Sequence, residues 1–499
     1  MKFVLERSGG RALAVPEPLA SGGAAVSIGR LSDYEVPPTN PDFSYSASLQ
    51  SFLHGKQLLL DEIPFSLEVL HEHYLHGYLT YSPGIVEHNA QLNCQRCGNH
   101  VQRLFASFSC ARCGEECFYC RKCLMMGRVS MCTPLVSWCG PEPVYAMREG
   151  LLAWQGQLSQ GQQRASDEVV AAVGAKKELL VWAVCGAGKT EVLFHGMEEA
   201  LRRGQRVCMA SPRTDVILEL VPRFRKAFPD TEMIALYGGS GDRGKQAQLV
   251  LSTTHQLLRY KEAFDFIVID EVDAFPFHSD ETLHYAVQKA RKPGASVIYL
   301  SATPDSLMKK RFRKGELEGI RIPMRYHGHP LPVPAFYWCG NWKKGLEKQK
   351  LPEIVLRWAI EKCRRKRQGF LFVPTVQDME KVTELLRKVD ERILGVHSED
   401  AQRREKVEQF RDGEVPIIVT TTILERGVTV PETDVAVFGA DDPVFSEQAL
   451  VQMAGRVGRS AAFPEGDVLF FHNGRTRAMA GAKKHIEAMN LEAFPKERR

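Results

Sequence analysis

From about Gly150 onward, short apolar runs alternate with amphipathic stretches, the order that predicts parallel strands joined by helices. Leu179 to Ala183, Phe266 to Ile269 and Ser296 to Leu300 read as buried strands of one half. Gly369 to Val373, Pro416 to Thr422 and Val435 to Phe438 read the same way in a second half. Between them, Val192, Leu193, Met197, Ala200 and Leu201 fall on one helical stripe. Upstream the rhythm fades. Leu49 to Tyr81 is helical in parts, and residues 1 to about 45, rich in Gly, Pro, Ser and Ala, show no sustained period. The pattern predicts an N-terminal region over 1–90 with a partly flexible leader and a cysteine-rich module over 91–140. Two α/β halves follow at 150–330 and 331–499.

A length of 499 residues allows two to four domains, and 44% hydrophobic with 25% charged residues is ordinary for a soluble globular chain. The +5 charge, from 65 basic and 60 acidic side chains, gives no argument for nucleic acid by itself. No apolar run approaches the ~20 residues of a membrane span. Glu6 and Arg7 cut short the signal-like run Phe3 to Leu5. A cytosolic protein is expected, with peripheral membrane attachment through a partner left open.

Candidate chemistry sits at the junctions of the pattern. The strand ending at Ala183 runs into Cys185-Gly186-Ala187-Gly188-Lys189-Thr190 and then a helix, the order a phosphate-binding loop requires. Glycines let backbone N–H groups turn toward phosphates; Lys189 would reach the β and γ phosphates of ATP, and the Thr190 hydroxyl would ligate Mg²⁺. A second strand delivers Asp270 and Glu271, suited to holding Mg²⁺ and to activating water respectively. The alternative, an ordinary acidic loop, is weakened by the phosphate loop upstream. Ser301 and Thr303 either link the nucleotide site to movement of the second half or merely cap a strand. Gln452 precedes Arg456 and Arg459, two arginines three apart that would neutralise the γ-phosphoryl group rather than form a surface basic pair. Gln162 is placed to read the adenine edge. No second phosphate loop follows, so one ATP site is expected.

Eight of the thirteen cysteines lie between Cys94 and Cys132, a cluster that in a reducing compartment points to Zn²⁺ rather than disulfides. By spacing alone, Cys94 and Cys97 pair well with Cys110 and Cys113, and a second ion on Cys117, Cys120, Cys123 and Cys132 stays open. Nearby Arg96, Arg103, Arg112, Arg121, Lys122 and Arg128 mix with Phe105, Phe108, Phe118 and Tyr119. That mixture suits either a single-strand surface or a solvated rim over a small aromatic core. His71, His73 and His76 lack zinc-protease spacing and read as a solvated helix face.

Together, AVCGAGKT, DEVDAF, SAT, TTTILERG and QMAGRVGR resemble superfamily 2 helicases and translocases. The cysteine module, CLMMGRV (Cys123 to Val129) and DEVDAFPF (Asp270 to Phe277) resemble the ComFA family of competence ATPases, related to the replication-restart helicase PriA. The resemblance implies two tandem RecA-like parallel-sheet domains preceded by a small zinc-binding module. It also implies a single-stranded-DNA-stimulated ATPase at the inner face of the membrane, working with ComFC, DprA and the ComEC channel, with its oligomeric state open. It pairs Cys94 and Cys97 with Cys120 and Cys123, and places DNA contacts at Arg213, Thr254, Gln256, Thr375 and Thr421. The alternatives are a PriA-like restart or repair helicase, and a zinc-dependent adaptor with a dead nucleotide site; the intact Lys189, Asp270, Glu271, Arg456 and Arg459 oppose the adaptor.

Overall fold

The computed structural model describes residues 1–427 and 430–495. Its strands form two large sheets. One has seven strands in the order Met233–Leu236, Leu249–Thr253, Val207–Ser211, Phe264–Ile269, Arg291–Ser301, Glu178–Ala183, Glu318–Ile322. The other has six, ordered Ala335–Trp338, Val468–His472, Thr433–Phe438, Gln368–Phe372, Ile417–Thr420, Leu394–Val396. Val207–Ser211 pairs in parallel with both Leu249–Thr253 and Phe264–Ile269, and Gln368–Phe372 pairs in parallel with both Ile417–Thr420 and Thr433–Phe438. Central strands such as Val207–Ser211 and Thr433–Phe438 are buried along their whole length, which explains the apolar runs Val207 to Ala210 and Val435 to Phe438 within them. The expected strand at Pro416 to Thr422 is shorter than the pattern suggested, because Thr422–Leu424 already turns into a 3₁₀ segment.

Contacts group the residues into two units, one of residues 1–154, 170–178 and 196–298, the other of 155–169, 179–195 and 299–499. In the first, residues 1–45 are not the loose leader that composition suggested. Lys2–Ser8 and Arg11–Pro16 form an antiparallel hairpin joined by Val26–Ser27. Phe3, Ala14 and Ile28 are fully buried with Leu49, Tyr74 and Tyr81 in one core. The Tyr74 hydroxyl accepts from Ala14 N at 3.0 Å and donates to Glu35 O at 3.0 Å. The hairpin buries consecutive residues, and its partners lie tens of residues away, so neither period nor neighbourhood betrayed it.

The histidine reading also changes. His71 and His73 are buried on the helix Leu67–Leu75, not solvated. His73 accepts from Ser46 N at 2.9 Å through Nε2 and donates to Val69 O at 2.7 Å through Nδ1, while Phe43 stacks on His76 at 4.0 Å. These rings pack and cap.

In the second unit, Lys362 is buried between Asp434 (2.7 Å) and Asp467 (2.6 Å), with Arg367 Nε also 2.9 Å from Asp434. Burial alone would lower the amine's pKa, but the two carboxylates outweigh it and hold it above the ordinary lysine value. A raised folded-state value means the stabilisation is complete below about pH 10 and fades as pH rises through that value. Lys362→Met strands Asp434 with half its compensation and is expected to cost about 3 kcal/mol at neutral pH. Chemical denaturation at pH 8 and pH 11 checks it: the gap between variant and parent narrows at the higher pH.

Candidate nucleotide site and cysteine centre

Six residues after the strand Glu178–Ala183, the helix Lys189–Arg202 begins at the expected lysine. The turn between them is held from two directions. Gln162 Nε2 donates to Ala187 O at 2.9 Å while its Oε1 accepts from Ser159 N at 2.8 Å. Tyr326 N donates to Gly186 O at 3.0 Å. Gly188 has φ +69°, a conformation that favours glycine, and a Cβ there would also push aside the Gln162 amide. Ala187 and Thr190 are buried, and Lys189 is half-buried at the helix start. Gln162, expected to read adenine, braces the phosphate loop in this conformation.

Gln452 lies in the last turn of the helix Glu447–Ala454 and is buried. Cys185 Sγ donates to its Oε1 at 3.1 Å, and its Nε2 donates to Thr303 Oγ1 at 3.3 Å. One amide thus joins the phosphate loop to the SAT segment. Ser301 Oγ meanwhile accepts from Thr303 N at 3.0 Å, capping the strand end, while the Thr303 hydroxyl is the one bonded to Gln452. Arg456 lies in the turn that follows the helix, and Arg459 just beyond it. Arg456 is buried with its guanidinium 5.3 Å from the Phe370 ring centroid, whereas Arg459 is half-buried and donates through Nε to Gly455 O at 3.0 Å. Arg325, which no motif marked, supports this turn by donating to Val457 O at 2.9 Å and to Gly458 O. Burial, with the Arg459 charge adding to it, lowers its pKa to about 10, still cationic at neutral pH.

Asp270 and Glu271 stand at the end of the strand Phe264–Ile269. Glu271 has φ +55°, rare for a non-glycine residue, and its N–H is held by Asp270 Oδ1 at 2.8 Å. Of the expected DNA contacts, Thr375 is exposed but caps the helix Val376–Arg387, accepting from Asp378 N at 3.0 Å. Thr421 and Arg213 are half-buried. Thr254 and Gln256 are buried, Gln256 Oε1 taking a 2.6 Å bond from Arg259 Nη1.

The cysteines do not group by spacing. Sγ atoms of Cys94, Cys97, Cys120 and Cys123 all lie within 4.8 Å of one another, and all four residues are buried. Cys94–Cys123 and Cys97–Cys120 are 3.7 and 3.6 Å apart. Four thiolates ~2.3 Å from one ion would stand about 3.8 Å apart at tetrahedral corners, so the set is compatible with zinc. Cys110 and Cys113 are elsewhere because Phe105–Cys110 and Glu115–Cys120 form a hairpin with Phe105 opposite Cys120 and Cys110 opposite Glu115. Five residues of strand, roughly 17 Å, carry Cys110 away from the first knuckle and bring Cys120 back to it. The basic set divides as well: Arg103, Arg112 and Arg121 are exposed, while Arg96 is buried, donating to Gly127 O at 3.3 Å and lying 3.4 Å from Glu62.

This centre is docked on the helix Glu281–Ala290. Tyr285 OH donates to Gln95 O at 3.1 Å, Lys122 Nζ to Asp280 at 3.1 Å and Thr282 at 2.9 Å. Lys289 Nζ donates to Gln57 Oε1, Arg96 O and Leu258 O at 3.1, 2.8 and 2.8 Å. Glu62 joins Arg96 to Arg259, the latter at 2.7 Å. Isolated charged residues of this kind carry no sequence signal.

Three family models match: the Competence protein ComFA N-terminal domain over residues 40–137, the Type III restriction enzyme res subunit over 155–306, and the Helicase conserved C-terminal domain over 348–461. The yeast Dbp5 structure with RNA and ADP BeF3 superposes with TM-score 0.52 at 16% identity over 67% of this chain and 88% of that one. Mycobacterium smegmatis Lhr with ssDNA and AMP-PNP gives 0.51 at 17% identity over 67% of this chain and 50% of that one. At such identities these likenesses show the fold, two RecA-like parallel-sheet domains. Competence protein ComFA of Streptococcus pneumoniae is 38% identical over 82% of this chain and 93% of its own length. That of Bacillus subtilis is 49% identical over 91% of this chain and 97% of its own. With relatives this similar matched almost end to end, the chain belongs to the ComFA family and is an ATP-hydrolysing, helicase-like enzyme.

Proposed function

We propose that the chain is an ATP-driven translocase on single-stranded DNA that helps bring transforming DNA into the cytosol. Family membership supports the setting. The observation that carries a working motor is Gln452, which bonds both Cys185 of the phosphate loop and Thr303. An amide so placed responds to what the loop holds.

In this reading Gly186, Ala187, Gly188 and Lys189 bind the triphosphate, and Glu271 orients and deprotonates the attacking water. Arg456 and Arg459 stabilise charge on the γ-phosphoryl group. The Thr190 hydroxyl and Asp270 carboxylate are hard oxygen donors that fit Mg²⁺ and would hold it; the ion neutralises phosphate charge when bound. Cys94, Cys97, Cys120 and Cys123 would hold a structural Zn²⁺. Arg213, Thr375 and Thr421 are the accessible candidates for DNA phosphates and sugars, with Thr254 and Gln256 requiring exposure first. Contacts of that type read little sequence. ComFC, DprA and ComEC are the proposed partners, which would seat the protein at the membrane; among the described residues no helix is long and apolar enough to cross one.

ATP turnover measured with single-stranded DNA, duplex DNA and RNA at one salt concentration tests this. Single-stranded DNA is expected to stimulate severalfold more than the other two; equal stimulation by RNA, or none by DNA, overturns the substrate. Robust strand displacement on a forked duplex would favour the PriA-like alternative.

A further inference from the structure

A second set of four cysteines sits at the far end of the hairpin. Sγ atoms of Cys110, Cys113, Cys117 and Cys132 also lie within 4.8 Å of one another, all four residues are buried, and Cys110–Cys132 is 3.7 Å. We propose that this set binds a second structural zinc ion, interleaved along the chain with the first.

Two observations beyond proximity carry the assignment. The first is a repeated knuckle. In Cys94-Gln95-Arg96-Cys97-Gly98 the Gly98 N–H donates to Cys94 O at 2.9 Å, with Gly98 at φ +70°. In Cys110-Ala111-Arg112-Cys113-Gly114 the Gly114 N–H donates to Cys110 O at 2.7 Å, with Gly114 at φ +68°. The backbone turn that aims two thiolates at one point in the first centre is built again in the second.

The second observation is the strand Glu115–Cys120, which contributes Cys117 to one set and Cys120 to the other. Residues three apart on a strand face opposite sides, so a single strand supplies one sulfur to each centre. Free thiol packing does not call for that division, and a separation of 3.7 Å is far from the ~2.05 Å of a disulfide. Four sulfurs this close leave room for one ion. The ligand order becomes 94, 97, then 110, 113, 117, then 120, 123, then 132, so neither centre closes without the chain that builds the other.

The second ion would also fasten the start of the chain. The Met1 amine donates to Cys132 O at 3.2 Å and Gly29 N to Met131 O at 3.0 Å. Lys2 and Arg30 both pair with Glu115, at 3.8 and 2.8 Å.

Metal analysis of the full chain, produced with zinc in the medium, is expected to return two zinc ions per molecule. Cys117→Ser and Cys132→Ser should each return one, with faster limited proteolysis within residues 1–30; Cys120→Ser should lose the other ion. One zinc in the parent chain, absent in Cys120→Ser but kept in Cys117→Ser and Cys132→Ser, overturns the proposal and leaves the first centre standing. Should the variants not fold, the parent chain decides alone. Chelator-triggered release of two equivalents, unmasking eight thiols to a thiol reagent, supports the second ion; one equivalent with four thiols unmasked refutes it.

Discussion

Lys189→Ala is expected to lower ATP turnover by about 10²- to 10³-fold while single-stranded DNA affinity stays nearly unchanged. The lysine is half-buried at the first position of the helix Lys189–Arg202, where its amine is free to follow phosphate charge as it develops. Loop shape does not depend on it: Gln162 and Tyr326 hold the backbone through Ala187 O and Gly186 O. The loss therefore belongs to transition-state charge rather than folding, and unchanged thermal unfolding should accompany it. Glu271→Gln separates the next role, since an amide keeps the carboxylate's size but cannot take a proton. That variant should bind ATP and cleave it slowly. Steady-state turnover with nucleotide binding measured in parallel checks both; a Lys189→Ala protein that turns over normally removes the residue from the site, and an equal loss of ATP affinity in Glu271→Gln removes its water-activating role.

The strand, turn and helix around the proposed nucleotide site were legible because phosphate chemistry demands neighbours in sequence: a strand, a glycine turn, a lysine and a helix must follow one another. Asp270 and Glu271 were legible for the same reason, as the end of a buried strand. The partner of Gln452 was not, because a bond from residue 452 to residue 303 leaves no local trace. Nor was the bracing role of Gln162, which depends on where Ala187 O points. Cysteine spacing proposed the wrong companions for Cys94 and Cys97. Two C-x-x-C knuckles twelve residues apart look like one site until the register of Phe105–Cys110 against Glu115–Cys120 is known. The family resemblance named the set that the structure brings together, yet left Cys110, Cys113 and Cys117 without a place. At the amino terminus, composition read as looseness what is a packed hairpin, because Phe3 and Ala14 find their core among residues 49 to 81.

Loss of the first cysteine centre is the change with the widest reach. Cys120 is fully buried, its sulfur 3.6 Å from Cys97 and 3.5 Å from the Asn99 amide that donates to it. Serine there would remove a soft thiolate from the four sulfurs proposed to hold zinc, and a module too small for its own core would lose the ion proposed to fold it. What gives way next is the surface it rests on. Lys289 would lose its Arg96 acceptor, and the line from Arg96 through Glu62 and Arg259 to Gln256 would open at its first member. Cys120→Ser is expected to lower Tm by on the order of 10 °C. It should also remove most of the stimulation of ATP turnover by single-stranded DNA, while turnover without DNA persists because Lys189 and its loop take no support from this network. Lys289→Met tests the route without touching a metal ligand: zinc content stays at the parent value while DNA stimulation falls. If Lys289→Met loses no stimulation and Cys120→Ser loses basal and stimulated turnover alike, the centre serves stability alone and Gln256 takes no instruction from it.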